Sequence, residues 1–90
     1  MSALASKIQS GAAVIDVRTM EEFEEEHYPR ALNIPVDQIQ KRMFDLGDKH
    51  APIVLYCASG ARSAYAANLL RSAGYSDVTN AGGLDDMPGF

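Results

Sequence analysis

Ile53-Val-Leu-Tyr-Cys-Ala-Ser-Gly-Ala-Arg-Ser63 is the stretch whose reading decides the fold. Ile53-Val-Leu-Tyr56 is a short, wholly apolar run that reads as a strand buried within a sheet. It passes directly into the small and polar Cys57–Ser63 turn. Beyond the turn, Ala64-Tyr-Ala-Ala-Asn-Leu-Leu-Arg-Ser-Ala73 reads as an alanine-rich helix closed by Gly74, with side chains small enough for close approach to the sheet.

The same alternation extends outward on both sides. Upstream, Leu4 and Ile8 share one face of a short helix stopped by Gly11, and Ala13-Val-Ile-Asp-Val17 is a second buried strand. Thr19 and Glu22 have capping-box spacing, which predicts a helix from Met20 that stops before Pro29, with Met20 and Phe23 facing inward. Ala31-Leu-Asn-Ile34 reads as a strand ended by Pro35. Val36, Ile39, Met43 and Leu46 keep helical spacing up to a C-cap at Gly47. Downstream, Asp77-Val-Thr-Asn80 is another strand, and Gly82-Gly83 opens an irregular tail. Strands alternating with helices predict an α/β fold over residues 1–90 as a single domain, with a central parallel sheet of four to five strands and helices on both faces. Ligands of such sheets bind at the carboxyl ends of the strands, where Cys57 lies.

Composition narrows the function. Ninety residues make one domain that buries about 60–65% of its unfolded surface. With 47% hydrophobic and 22% charged residues, the chain is expected to be folded and soluble. One cysteine excludes an internal disulfide and any multi-thiolate metal site, and His27 and His50 are too few for zinc, so neither metal nor cofactor is expected. Eight basic against twelve acidic residues give a net charge of −4, and the scattered basic residues argue against nucleic-acid binding. The run Glu21, Glu22, Glu24, Glu25 and Glu26 reads as a solvated helix face. No acidic residue lies between Asp48 and Asp77, so Arg62 and Arg71 make the surroundings of Cys57 locally positive. No apolar run approaches the roughly 20 residues of a membrane span. Met1–Lys7 lacks the layout of a secretory signal, which predicts a cytoplasmic protein, a processed periplasmic form being the other reading.

Read alone, a lone cysteine at a strand end is a small buried apolar residue. The next six residues argue otherwise. A cysteine between a strand and a helix gains reactivity from the helix dipole, from unpaired turn amides and from a nearby cation. Ser59, Gly60 and Ala61 are small enough to let amides converge as an anion nest, and Arg62 closes the turn.

The ordered set Val14-Ile-Asp-Val-Arg18, Glu22-Phe23, His27, Ala31-x-Asn33-Ile-Pro35, Ile53-Val-Leu-Tyr-Cys57-x-Ser-Gly-x-Arg62-Ser63, Gly74-Tyr75, Val78 and Gly82-Gly83 resembles the rhodanese family of sulfurtransferases. In particular it is similar to short single-domain members of the phage-shock type, whose chains similarly contain Asn-Ala-Gly-Gly-Leu, here 80–84. The resemblance implies thiosulfate sulfurtransferase chemistry on Cys57. The thiolate would take the sulfane sulfur of thiosulfate, release sulfite, and pass the sulfur from a persulfide to cyanide or a thiol, or to a protein acceptor. It also implies that the amides of Ala58, Ser59, Gly60, Ala61 and Arg62 cradle the persulfide, that Arg62 binds or steers the anionic donor, and that Ser63 braces the loop. With no second cysteine, the persulfide must be discharged to an external acceptor.

Three alternatives stand beside this reading: a persulfide relay module serving a protein partner, a phosphatase-like enzyme, and a non-catalytic interaction domain. Related phosphatases place five residues between cysteine and arginine, whereas Ala58 to Ala61 are only four, a tighter loop suited to a single sulfur. Lowering a thiol pKa by about 2 units raises the thiolate fraction about 24-fold at pH 7 but reduces nucleophilicity about 8-fold. The amides are therefore expected to act mainly on developing anionic charge.

Asp16 and Arg18 are expected to be structural, tied to nearby backbone and to Glu22. His27 is expected to be a hydrogen-bonded structural histidine, and Tyr65 and Tyr75 to be packing residues with a polar tip. Two positions depart from the family pattern: Arg30 replaces the usual glycine before Ala31, and Met87 lies near a common tryptophan.

Overall fold

The computed structural model describes residues 2–90. Helix α1 (Ala3–Gln9) starts at Ser2, whose hydroxyl accepts the Ala5 N–H at 3.0 Å. Strand β1 (Ala13–Asp16) leads to α2 (Met20–Glu25), which opens on the expected Thr19–Glu22 capping box and ends before Pro29. Strand β2 is only Leu32–Asn33. Helix α3 (Ile39–Arg42) follows, then β3 (Ile53–Cys57), α4 (Ala61–Ser72) and β4 (Val78–Gly83).

The helix expected from Val36 to Leu46 is broken. A four-residue α3 is flanked by 3₁₀ turns at Val36–Gln38 and Met43–Leu46. The apolar pairs 36/39 and 43/46 are three apart, the spacing at which 3₁₀ side chains align, and no side-chain cap supports a longer α-helix.

All pairings are parallel, in the order β2-β1-β3-β4. Alternation along β3 sends Ile53, Leu55 and Cys57 to one face and Val54 and Tyr56 to the other. On the first face, Ala66, Ala67 and Leu70 of α4 are fully buried with Ile15, Val17, Ile34 and Ile39. Ala66 and Ala67 let α4 lie close on the sheet, as their size predicted. On the second face, Leu4 and Ile8 of α1 pack beside Val14, Tyr56, Leu84 and Met87. Helices thus cover both faces of a four-stranded sheet, the architecture expected. Met87, near which many family members have tryptophan, is buried in this second cluster.

Several local expectations are corrected. Gly82-Gly83 does not begin an irregular tail: it completes β4, and a 3₁₀ turn at Leu84–Asp86 follows. The β3–β4 register shifts between Leu55↔Asn80 and Cys57↔Gly83, so β4 bulges opposite the end of β3. Met20 is 59% exposed, because capping places it at the solvent edge of α2, while Phe23 is partly buried and stacks on His27 at 3.7 Å between ring centroids. Tyr65 is 61% exposed on α4 rather than packed, whereas Tyr75 is buried and its hydroxyl donates to the Met43 carbonyl at 2.8 Å. Arg30 has φ 69°, the only residue other than glycine at positive φ among those described, which explains why glycine suits that position.

The end of β1 is held by a buried polar network. Asp16 is fully buried and accepts from Arg18 Nη2 at 2.8 Å and from the Tyr56 hydroxyl at 2.7 Å. That hydroxyl accepts the Tyr28 N–H at 2.9 Å, and Arg18 also donates to the Glu26 carbonyl at 2.6 Å. Asp16 and Arg18 are thus tied to each other and to backbone, but not to Glu22, which is engaged elsewhere. His27 Nδ1 lies 2.7 Å from the Phe23 carbonyl, the structural contact expected of it.

Candidate active site

Strand β3 delivers Cys57 to the carboxyl edge of the sheet, where its side chain points to the α4 face and is 1% exposed. Above it the chain turns through Ala58 and Ser59, both exposed, to Gly60. Gly60 has φ 102° and sits as the N-cap of α4, a left-handed conformation that no other residue adopts at so little cost. A β-carbon there would also lie 3.3 Å from the Gly82 α-carbon, so the loop and β4 touch backbone to backbone. Gly83 is tighter still, since a β-carbon would overlap the Ala58 carbonyl oxygen. The glycine pair is thus the floor on which the cysteine loop rests.

The loop aims donors at the sulfur. The Gly60 N–H donates to Sγ at 2.9 Å, and the Ser63 hydroxyl lies 3.4 Å away. Burial pushes the Cys57 thiol up, but the Ser63 hydroxyl and the N–H groups of Ser63, Gly60 and Ser59 more than offset it and leave the thiol at about 7. Of the residues expected to cradle the sulfur, Ser59 and Gly60 act on it at rest, and Ser63, expected only as the brace of the loop, acts on it as well. Ala58 and Ala61 shape the exposed rim.

Arg62 is placed at the loop, as expected, but its charge is engaged. Its Nη1 and Nη2 donate to Glu22 Oε1 and Oε2 at 2.7 and 3.1 Å, a bidentate pair between α4 and α2. Hydrogen bonding from Arg62, opposed by desolvation and helped by Thr19, holds the Glu22 carboxyl at about 2. Arg71, the other cation expected near Cys57, stands at the far end of α4 and donates to the Val78 carbonyl at 2.8 Å. The local positive field read from the acid-free stretch is therefore reduced to Arg62 and opposed by Glu22.

Ser63 is fully buried, with its hydroxyl 3.2 Å from the Gly60 carbonyl and 2.6 Å from Asn80 Oδ1, so it links the loop to β4. The sequence reading missed Asn80 and Glu22. Asn80 was visible only as a strand end and as the first residue of Asn-Ala-Gly-Gly-Leu, and Glu22 was already assigned to its capping box and to Asp16 and Arg18. Among the described residues no three His, Cys, Asp or Glu side chains cluster as metal ligands, and no helix is long and apolar enough to cross a membrane. A separate cleft of about 260 Å³, lined by Ala5, Ile8, Gln9, Tyr28, Pro88 and Gly89, lies on the α1 side of the sheet and holds no nucleophile.

The arrangement suits nucleophilic sulfur chemistry: a partly ionised thiol, amides converging on it, and a cation beside the loop. Comparison with known proteins gives the same direction. The family model described as the rhodanese-like domain matches residues 1–86. The chain is 39% identical over 74 residues to the thiosulfate sulfurtransferase PspE of Escherichia coli, spanning 81% of this chain and 71% of that protein. It is 33% identical over 82 residues to the putative sulfur carrier protein YrkF of Bacillus subtilis, spanning 89% of this chain but only 44% of that one. Among solved structures, a rhodanese with anions from E. coli superposes with a TM-score of 0.82 at 37% identity, over 87% of this chain and 93% of that one. A human single-domain sulfurtransferase superposes with a TM-score of 0.78 at 31% identity, over 86% and 80%.

Proposed function

Since the chain belongs to the rhodanese-like domain family of sulfurtransferases, we propose that residues 1–90 act as one such domain, which moves the sulfane sulfur of thiosulfate to cyanide or a thiol through a Cys57 persulfide. The observation that carries this reading is the Cys57 sulfur at the base of a four-residue loop, with the Gly60 N–H at 2.9 Å and the thiol held at about 7. In the first step the Cys57 thiolate attacks the outer sulfur of thiosulfate. A new S–S bond forms, the old one breaks, and its electron pair leaves with sulfite. Cyanide then attacks the terminal sulfur of the persulfide, forming thiocyanate and returning the thiolate; a thiol acceptor leaves instead as a persulfide. The loop amides stabilise the anionic sulfur in both steps, and Arg62 binds the sulfonate end of the donor once that anion competes with Glu22.

Mass spectrometry after thiosulfate treatment tests the proposal. Wild-type protein gains the mass of one sulfur atom, which cyanide removes, and Cys57→Ser gains none. A wild-type chain that gains no sulfur, or a Cys57→Ser chain that gains as much, overturns it. The similarity to a putative sulfur carrier protein favours a second reading, a persulfide relay to a protein acceptor. Rapid steady turnover of thiosulfate with cyanide alone counts against that second role.

A further inference from the structure

Asn80 on β4 meets the Cys57 loop at three points. Its Nδ2 donates to the Gly60 carbonyl at 3.1 Å, while its Oδ1 accepts the Gly82 N–H at 3.0 Å and the Ser63 hydroxyl at 2.6 Å. The chemistry of these partners orients the amide, because the Gly60 carbonyl can only accept and the Gly82 N–H can only donate. Oδ1 therefore faces Ser63 and must receive its proton. Ser63 has one proton to give, and the Cys57 sulfur at 3.4 Å competes for it, as do the Gly60 and Gly82 carbonyls at 3.2 and 3.5 Å. A neutral Cys57 thiol can instead donate its own S–H to Ser63 Oγ, leaving the Ser63 proton on Asn80. A thiolate has no proton to give and, besides the Gly60 N–H, draws the hydroxyl toward it.

We propose that Asn80 is a positioning residue for Cys57: it holds the Ser63 hydroxyl while Cys57 is a thiol, releases it when the thiolate forms, and so makes the thiolate harder to form than the loop alone would. Ser63 keeps its proton throughout and rotates about its C–O bond, while the thiol proton passes to solvent base. The proposal rests on the reading of Cys57 as the nucleophile. The charged groups around the loop are Arg62 on α4, Glu22 on α2, Arg18 just past β1 and Asp86 beyond β4. None of them hydrogen-bonds Asn80 or Ser63, so a change at position 80 leaves them in place. The Asn80 bonds to Gly60 and Gly82 are exposed, so water can replace them in a variant.

The test is the pH dependence of Cys57 alkylation by iodoacetamide in the full chain. Asn80→Ala removes the nearest acceptor of the hydroxyl and leaves the Gly60 carbonyl and the sulfur to share it; the charged thiolate is the stronger acceptor of the two, so the midpoint falls and the thiolate fraction below that midpoint rises about 3- to 10-fold. Asn80→Asp keeps the acceptor, strengthens its hold on the hydroxyl and adds a negative charge; it raises the midpoint, and by more with Ser63 present than in a Ser63→Ala background, because only the hydroxyl's share depends on Ser63. In a Ser63→Ala background the effect of Asn80→Ala disappears. An Asn80→Ala midpoint that is unchanged or raised, or a shift that persists without Ser63, overturns the proposal. Should Asn80→Ala fail to fold, as read by circular dichroism, the difference between the Asn80→Asp shift with Ser63 and without it carries the test, and equal shifts in the two backgrounds refute the idea. Because alkylation needs no sulfur donor, a chain that shows the shifts but takes no sulfur from thiosulfate supports the hydroxyl competition and refutes the sulfur-transfer reading instead.

Discussion

Glu22→Gln separates the charge of Glu22 from its architecture. The carboxylate does two things: it receives Arg62 in a bidentate pair, and it accepts the Thr19 N–H at 3.1 Å to complete the α2 cap. Glutamine keeps a carbonyl oxygen for the cap, a residue the capping box tolerates, but removes the charge. In the wild type, an anionic donor reaching Arg62 meets a carboxylate already bound to the same guanidinium. Two unit charges 4 Å apart interact by about 1 kcal/mol in bulk water and about 4 kcal/mol at an effective dielectric of about 20. Both side chains are about one-third exposed, at 36% for Arg62 and 33% for Glu22, so the lower part of that range applies. For a dianion such as thiosulfate, removing the repulsion is worth about 1–2 kcal/mol at low salt, a 5- to 30-fold lower KM, and about half that energy at physiological ionic strength. The assay is initial thiocyanate production from cyanide across thiosulfate concentrations at two ionic strengths. Glu22→Gln lowers KM with kcat within about 2-fold, and the difference shrinks with salt. A KM that stays the same or rises while kcat is preserved refutes the idea that Glu22 competes with the donor.

Three further outcomes follow from the same geometry. The Cys57 thiol titrates at about 7 when folded against an ordinary 9.0, so its stabilising contribution is complete above pH 9 and is lost as pH falls through 7. In urea melts, wild type therefore gains about 2–3 kcal/mol over Cys57→Ser between about pH 6 and pH 9.5, and a constant difference between the two proteins contradicts the depressed value. Gly83→Ala drives a β-carbon into the Ala58 carbonyl, lifting the loop from β4. It costs about 1–3 kcal/mol in thermal melts and lowers cyanide-dependent turnover more than 10-fold, whereas near-normal turnover would mean that the loop does not depend on this floor. Arg30→Gly relieves a positive φ of 69°. The left-handed penalty of about 1–2 kcal/mol exceeds the roughly 0.5–1 kcal/mol of extra unfolded-chain entropy, so urea unfolding shows a gain of about 0.5–1 kcal/mol. A loss of stability would show that the Arg30 side chain contributes more than its backbone costs.

The fold and the place of Cys57 between β3 and α4 were legible where local pattern and tertiary outcome coincide. Ile53–Tyr56 is apolar at every position because both faces of β3 are covered, and Cys57 followed by small residues marks the turn into α4. Two of the errors share a physical cause: each concerned a residue whose environment is set by a distant segment. Gly82-Gly83 looks like loop sequence because nothing in its own neighbourhood shows that Ala58 and Gly60 will press against it. The cation expected beside the sulfur was inferred from an acid-free stretch, yet Glu22 lies 40 residues from Arg62 in sequence. Spacing within a segment cannot reveal a partner supplied by another. The Val36–Leu46 helix failed differently, since apolar residues at i and i+3 fit 3₁₀ turns as well as α-helix, and only caps would have distinguished them.

With Arg62 paired, the share of the chemistry left to the amides can be weighed. Moving a thiol from 9.0 to about 7 raises its ionised fraction at pH 7 from about 1% to about half, a gain of about 50-fold. The lower basicity reduces nucleophilicity about 8-fold, so ionisation contributes only about 6-fold, or about 1 kcal/mol. A single preorganised donor aimed at developing charge can contribute about 3 kcal/mol. The resting sulfur already receives the Gly60 N–H, and Ala58, Ser59 and Ala61 of the same loop are exposed. On the sulfur-transfer reading, the depressed thiol is thus mainly a by-product of donors arranged for the anionic intermediate. It follows that variants disturbing the loop backbone should reduce turnover by more than their effect on the Cys57 titration accounts for.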